Sequence, residues 1–254
     1  MAMQPCRSAL ARGQQVLRAA SLRAACYSTT ATTNTTPDAS TAYRARRGRW
    51  EVTPEGMSAP IRMDFAKKPQ NKIWVVNNDP RVLNEMYDEL LGPNGSRMLP
   101  DELKWLAITH KSFDQGRRGF NDKLALMGRM TLVMEAAKDI VSQEPLPGAK
   151  AIDDFESERQ PFESPQLSQV DNLNVRTPQT VASKESIYKL AQSVGMLNVV
   201  RWKPRLPHNL ESSGVEVVMN GAVLAIIGAI TLQHGAEVAS KVVRERILGR
   251  LRQF

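Results

Sequence analysis

Residues 120–136, FNDKLALMGRMTLVMEA, read as the opening of a long helix. Its apolar pattern continues through Met134, Ala137 and Ile140 and stops before Pro145-Leu146-Pro147-Gly148, a run that ends helices. Ala125 and Arg129 lie four apart and share a face. A hard divalent cation needs oxygen ligands there, and alanine offers none, while arginine adds a fixed positive charge. Arg129 is expected to settle in an intramolecular salt bridge, with phosphate or an acidic partner as the other reading. Asp122 is a lone carboxylate at the helix start, where helix capping accounts for it. Met127, Met130 and Met134 belong either to the core or to an interface.

Upstream, Asp79-Pro80 supply a cap and a first-turn proline, and Val82, Met86, Leu90 and Leu91 form a helical stripe. Gly92-Pro93-Asn94-Gly95 is a turn. Pro100-Asp101-Glu102 opens a second helix, with acids at its positive end. This helix runs through Leu103, Trp105, Leu106 and Ile108 to Thr109-His110-Lys111-Ser112, where His110 reads as a structural hydrogen-bonding residue. The short loop beyond it carries Arg117 and Arg118, either phosphate contacts or a solvated turn.

Downstream, residues 142–171 form an insertion with Asp153, Asp154, Glu156, Glu158 and Glu163 punctuated by Pro161 and Pro165. Such composition predicts a surface loop turned away from RNA. A helix is expected from about Thr180 to a stop at Gly195. Residues 215–232, VEVVMNGAVLAIIGAITL, are the most apolar stretch, but Glu216 and Asn220 interrupt it. A span needs about 20 apolar residues, so this is a buried core or interface helix and no membrane span. The last helix, about Ala236 to Leu251, lines up Ala239, Val243, Ile247 and Leu251, with Lys241, Arg244 and Arg250 facing phosphate or water. The expected fold is all-α.

The motifs together carry a resemblance. Residues 106–113, LAITHKSF, resemble the LxxALTHxSY element of the ribonuclease III family. Asn121, Leu124, Leu126, Gly128 and Leu132 keep the frame of its signature helix, NERLEFLGDSVL. Ala225-Ile226-Ile227-Gly228-Ala229-Ile230 with Leu232 is similar to its second motif, DxFEALIGAIYLD. In active members these motifs hold magnesium through carboxylates, and paired ions activate water and stabilise the leaving oxygen. The resemblance places those ligands on Ala125, Arg129, Gly221 and Leu224, and the Asp that closes the second motif on Gln233. It therefore implies a ribonuclease III-like domain over residues 80–254 that binds no metal or other cofactor and does not hydrolyse RNA. The family's use of dimers packed through the signature helix implies a homo- or heterodimer.

The amino-terminal region completes the picture. The net charge of +8 and pI near 9.7 favour a polyanionic partner. Residues 1–27 carry Arg7, Arg12, Arg18 and Arg23 and no acid, with Leu10, Val16, Leu17 and Leu22 between them. They lack the continuous apolar core, about 7–15 residues long, of a secretory signal and have the composition of a mitochondrial transit peptide. Its removal would lower the charge from +8 to +4 and take away Cys6 and Cys26, leaving no thiol for a disulfide or metal site. Residues 28–79 are expected to form an extended basic arm without packed structure. Arg44, Arg46, Arg47 and Arg49 precede Trp50 there, and Lys67 and Lys68 follow. Arginines beside a stacking ring suit RNA, and the same residues would equally serve as a solvated linker.

With this presequence, the chain resembles the fungal mitochondrial large-subunit ribosomal proteins that contain an inactive ribonuclease III-like domain. That implies a structural role in mitochondrial translation. The implied partners are ribosomal RNA, other large-subunit proteins, and a second ribonuclease III-like mitochondrial ribosomal protein or a second copy of the chain. The other reading is a non-catalytic or regulatory subunit of a mitochondrial RNA-processing ribonuclease.

Overall fold

The computed structural model describes residues 74–253 except 115, 117, 151–157, 159–163, 166 and 168. The expected transit peptide and residues 28–73 of the expected arm, with Arg44, Arg46, Arg47, Arg49, Lys67 and Lys68, lie outside the described residues; residues 74–79 of the arm are described, and Trp74 packs against the core, contrary to the expectation of no packed structure. Helix α1 (Pro80–Leu91) starts as its sequence dictates: Asp79 Oδ1 accepts from the Arg81 backbone at 2.8 Å and Pro80 fills the first turn. Leu83, Met86, Tyr87, Leu90 and Leu91 are its buried residues, and Val82 is only half-buried, so the inner face is turned slightly from the expected stripe. Gly92 (φ 96°) ends the helix by returning its N–H to Asp88 O. The Tyr87 hydroxyl donates to Lys104 O at 3.1 Å in α2 (Asp101–Ala107), and burial pushes the phenol far above its usual ionisation range.

Helix α3 (Asp122–Val141) follows a buried Asn121, which locks its entry. The Asn121 side chain donates to Ala107 O at 3.0 Å and its backbone N–H to Thr109 O at 3.0 Å. Beyond α3 the insertion starts as ordered backbone. The Asn172 carboxamide accepts from Leu146 N at 2.8 Å and donates toward Ile140, Gln143 and Glu144 carbonyls at 3.2–3.3 Å. This pins residues 142–149 and the short α4 (Asn172–Val175) to the end of α3. Glu158 is exposed, and Asp153, Asp154, Glu156 and Glu163 lie outside the described residues.

The single helix expected from about Thr180 is instead two. Thr177 caps α5 (Pro178–Val181) and Ser183 caps α6 (Lys184–Ser193), each through a side-chain oxygen that accepts a backbone N–H three residues on. Both caps have extended backbone (ψ 153°), which breaks helical continuity at Ala182-Ser183. Gly195 (φ 67°) provides the expected stop. An isolated parallel bridge then joins Thr109 and Arg201; the described residues contain no strand.

Helix α7 (Val215–His234) buries thirteen of its twenty residues. It is long and apolar enough to cross a membrane, but the surrounding protein makes it the core helix. Helix α8 (Ala236–Val242) leads into a π turn (Val243–Leu248) and α9 (Gly249–Leu251). Ala239, Val243, Ile247 and Leu251 are buried as expected. A strict spacing of four drifts about 40° per step on an α-helix, and the wider π turn holds this stripe on the core. Arg244 and Arg250 depart from expectation. Arg244 faces Glu135, and Arg250 Nη2 donates to Glu89 O at 2.8 Å at the end of α1, where free carbonyls attract cations.

Everything is built on the crossing of α3 and α7. A Cβ on Gly128 would stand 1.8 Å from Leu224 O, and one on Gly228 2.0 Å from Leu124 O. Only hydrogen fits at either position. One turn on, Thr131 and Thr231 hydroxyls meet at 3.3 Å. Two turns beyond Gly128, the buried Glu135 takes Lys138 Nζ at 2.7 Å and Arg244 Nε at 3.1 Å. Burial opposes its ionisation, but hydrogen bonds from Lys138 and Ser240 and the charges of Lys138 and Arg244 outweigh it and hold the carboxyl below its usual range.

Two stability predictions follow from these contacts. Gly128→Ala should cost about 3 kcal/mol, the upper end of overpacking penalties. Gly221→Ala, with nothing within 4 Å of its new methyl, should be neutral or add up to about 1 kcal/mol of helix propensity. Chemical-denaturation midpoints measure both, and equal midpoints would contradict the crossing. For Glu135, the depressed carboxyl pKa means stability that is present at neutral pH and lost as pH falls through the folded-state value. Glu135→Gln should therefore cost about 1–3 kcal/mol at neutral pH, with the gap from wild type closing as pH falls through the carboxyl's depressed folded-state value.

Candidate functional site

The close approach of Gly128 to Leu224 O sets Ala125 and Arg129 of α3 beside the helix that carries Gly221 and Leu224. Ala125 is half-buried and packs on the core, and Leu224 is buried within it. Gly221 borders open space. Arg129 is exposed and has no ion pair among the described residues, contrary to the salt bridge expected for it. Asp122, two turns earlier on the same face, pairs with Lys111 Nζ at 3.5 Å. Asp122 is therefore an exposed first-turn residue, and Asn121 occupies the cap position.

The donor set does not fit magnesium. A methyl group, a guanidinium, a hydrogen and an isobutyl group offer no oxygen ligand and one fixed cation. Among the described residues, no group of three or more His, Cys, Asp or Glu is placed to hold a metal ion.

The neighbouring THxS element is structural. His110 Nδ1 accepts from Ser112 N at 3.2 Å and lies 2.9 Å from Ser112 Oγ. Burial lowers its pKa, while Asp122 pulls it up and Lys111 pushes it further down. Ser112 Oγ in turn accepts from Lys203 N at 3.1 Å, tying this loop to the segment after α6. Of the eight residues named from sequence for RNA contact, Arg118 alone lies among the described residues. Its guanidinium pairs with Asp114 at 3.3 Å and lies over the Phe113 ring at 4.9 Å, so it serves the loop itself. Arg117 lies outside the described residues.

Sequence reading left one feature open that the structure resolves. Met127, Met130 and Met134 are outside the core, and with Leu126 and Val133 they form an exposed apolar face on α3. Leu126, Met130 and Met134 are 56%, 60% and 58% exposed. The inner stripe of the same helix is Leu124, Gly128 and Leu132. A helix that is apolar on two opposite faces has more to bury than its own domain can cover. Buried Arg201 was also not anticipated: its guanidinium stacks 3.7 Å over the Trp105 ring and donates to Asn78 Oδ1 at 3.2 Å.

These features define an all-helical domain in which Ala125, Arg129, Gly221 and Leu224 offer no oxygen ligand to a metal ion. A family model described as ribonuclease-III-like matches residues 100–251. The Neurospora crassa large ribosomal subunit protein mL57 is 46% identical over 206 residues, covering 81% of this chain and 76% of that protein. The chain belongs to the ribonuclease-III-like family and, within it, to the mL57 proteins. Two structures of the nuclease domain of Campylobacter jejuni ribonuclease III are 20% identical, each with a TM-score of 0.45. They cover 65% and 66% of this chain and 96% and 93% of their own.

The donor set makes a direct prediction. Millimolar magnesium should leave the thermal midpoint of the purified chain unchanged beyond what an equal ionic strength of sodium does. A magnesium-specific rise would reveal a site.

Proposed function

We propose that this chain is a structural constituent of the mitochondrial large ribosomal subunit, a ribonuclease-III-like protein without nuclease activity that binds ribosomal RNA and a partner protein. The observation that carries this reading is the likeness to mL57 across four fifths of the chain. The replaced ligand positions support it from the chemical side: without carboxylates at Ala125, Arg129, Gly221 and Leu224, no ion activates water or stabilises a leaving oxygen. Residues 1–27 serve as the presequence for import into the matrix, and residues 28–79 form the basic arm, where Arg44, Arg46, Arg47, Arg49, Lys67 and Lys68 meet RNA. Residues 80–254 are the scaffold domain, and its acidic insertion at 142–171 takes no part in RNA binding.

The exposed face of α3 is the partner surface. Burying a large apolar side chain is worth about 1.5–3 kcal/mol, and Leu126, Met130, Val133 and Met134 lie together on one side of one helix. The partner is a second ribonuclease III-like mitochondrial ribosomal protein, which would present the same kind of helix.

The protein should sediment with the large mitochondrial ribosomal subunit at high salt, and the purified chain should leave duplex RNA intact in the presence of magnesium. Protein found free of ribosomes would favour a subunit of an RNA-processing ribonuclease. Cleavage by the chain alone would overturn the loss of catalysis. Met130→Glu should reduce subunit incorporation at least about tenfold without changing the thermal midpoint of the free protein.

A further inference from the structure

We propose that a track of cations running from Arg129 to the loop of residues 203–208 contacts the phosphate backbone of RNA, an inference that rests on the ribosomal reading above. The track is assembled from three segments far apart in sequence. Asp122, Ala125 and Arg129, spaced three and four apart, share one face of α3. Arg129 stands exposed on it without an acid partner among the described residues. At the head of this face, Lys111 reaches Asp122 at 3.5 Å and remains 60% exposed. The next residue, Ser112, holds the Lys203 backbone at 3.1 Å, which brings in the third segment. Arg205 and His208 follow on that loop, both exposed.

The seven steps from Asp122 to Arg129 span about 10 Å of helix, so the cations are strung along a line. That arrangement suits a repeating polyanion better than a single small anion. Asp122 is the one acid interleaved in α3's part of the track, and Lys111 offsets its charge. A side chain at Gly221 would meet no heavy atom within 4 Å, so this position on α7 leaves room beside the track. The base of the loop is also where the arm joins the domain: Trp74, the first described residue, packs edge-on against Trp202 with ring centroids 5.9 Å apart.

The test measures binding of the full-length protein to a short RNA duplex and to an oligouridine across a salt series. Arg129→Ala/Lys203→Ala/Arg205→Ala should weaken binding at least tenfold and make the log–log salt dependence shallower by about 2–3, roughly 0.7–0.9 per phosphate contact removed. Lys189→Ala, which removes an ammonium paired with Glu185 at 2.9 Å, should change neither. Should the triple variant melt early, Arg129→Gln alone should still reduce the slope by about one. Wild-type binding with unaltered affinity and slope in the variants would overturn the track while leaving ribosome association intact. Tighter binding of polyglutamate than of either RNA would assign the surface to an acidic protein and overturn it too. Sedimentation with the large subunit tests the ribosomal reading independently of both outcomes.

Discussion

Two glycines set the geometry on which the rest of this domain depends. Gly128 and Gly228 let α3 and α7 meet backbone to backbone, with each glycine lying where a carbonyl of the other helix leaves room for a hydrogen only. Close approach of this kind fixes the mutual position of two 20-residue helices. The buried residues of α7 then fill the space between α3 and the helices around it, and Asn121, Thr131 and Glu135 secure α3 at its start, middle and far side.

The same crossing explains what could be lost. Ala125, Arg129, Gly221 and Leu224 are held beside it by the glycines, not by any ion that they might share. In a metalloenzyme the ion draws carboxylates together and offsets their mutual repulsion, so a scaffold that brings such ligands together depends on the ion. Ala125, Arg129, Gly221 and Leu224 carry no carboxylate, so the crossing has no such repulsion to offset. Leu224 adds to the core and Ala125 packs against it. The scaffold is thus self-sufficient, which suits a protein whose task is to hold a place in a large assembly.

Much of this was legible in the sequence because it depends on local rules. Asp79-Pro80 fixed the start of α1, Gly195 the stop after α6, and the Asn121 to Leu132 frame with the Ala225 to Leu232 motif identified the helices that cross. The fate of exposed charge was not legible. Arg244 and Arg250 look solvent-facing by periodicity, but each reaches a partner contributed by a remote helix. Arg129 was expected to find an acid and finds none among the described residues; Asp122, on the same face of α3, lies about 10 Å away along the helix and pairs with Lys111 instead. The break between α5 and α6 was missed because Ser183 caps through a backbone conformation that an apolar pattern does not report. The methionines of α3 carry no signal of which side they face until the position of α7 is known.

The central claim is that α3 keeps its packing face for its own core and its outer face for a partner in the ribosome. The most direct measurement places a photo-crosslinking amino acid at Met130 in the chain assembled into mitochondrial ribosomes and identifies what it captures. The account predicts a single protein adduct, to a second ribonuclease III-like protein of the large subunit. Adducts to ribosomal RNA alone, or no adduct from a chain that is fully incorporated, would contradict it.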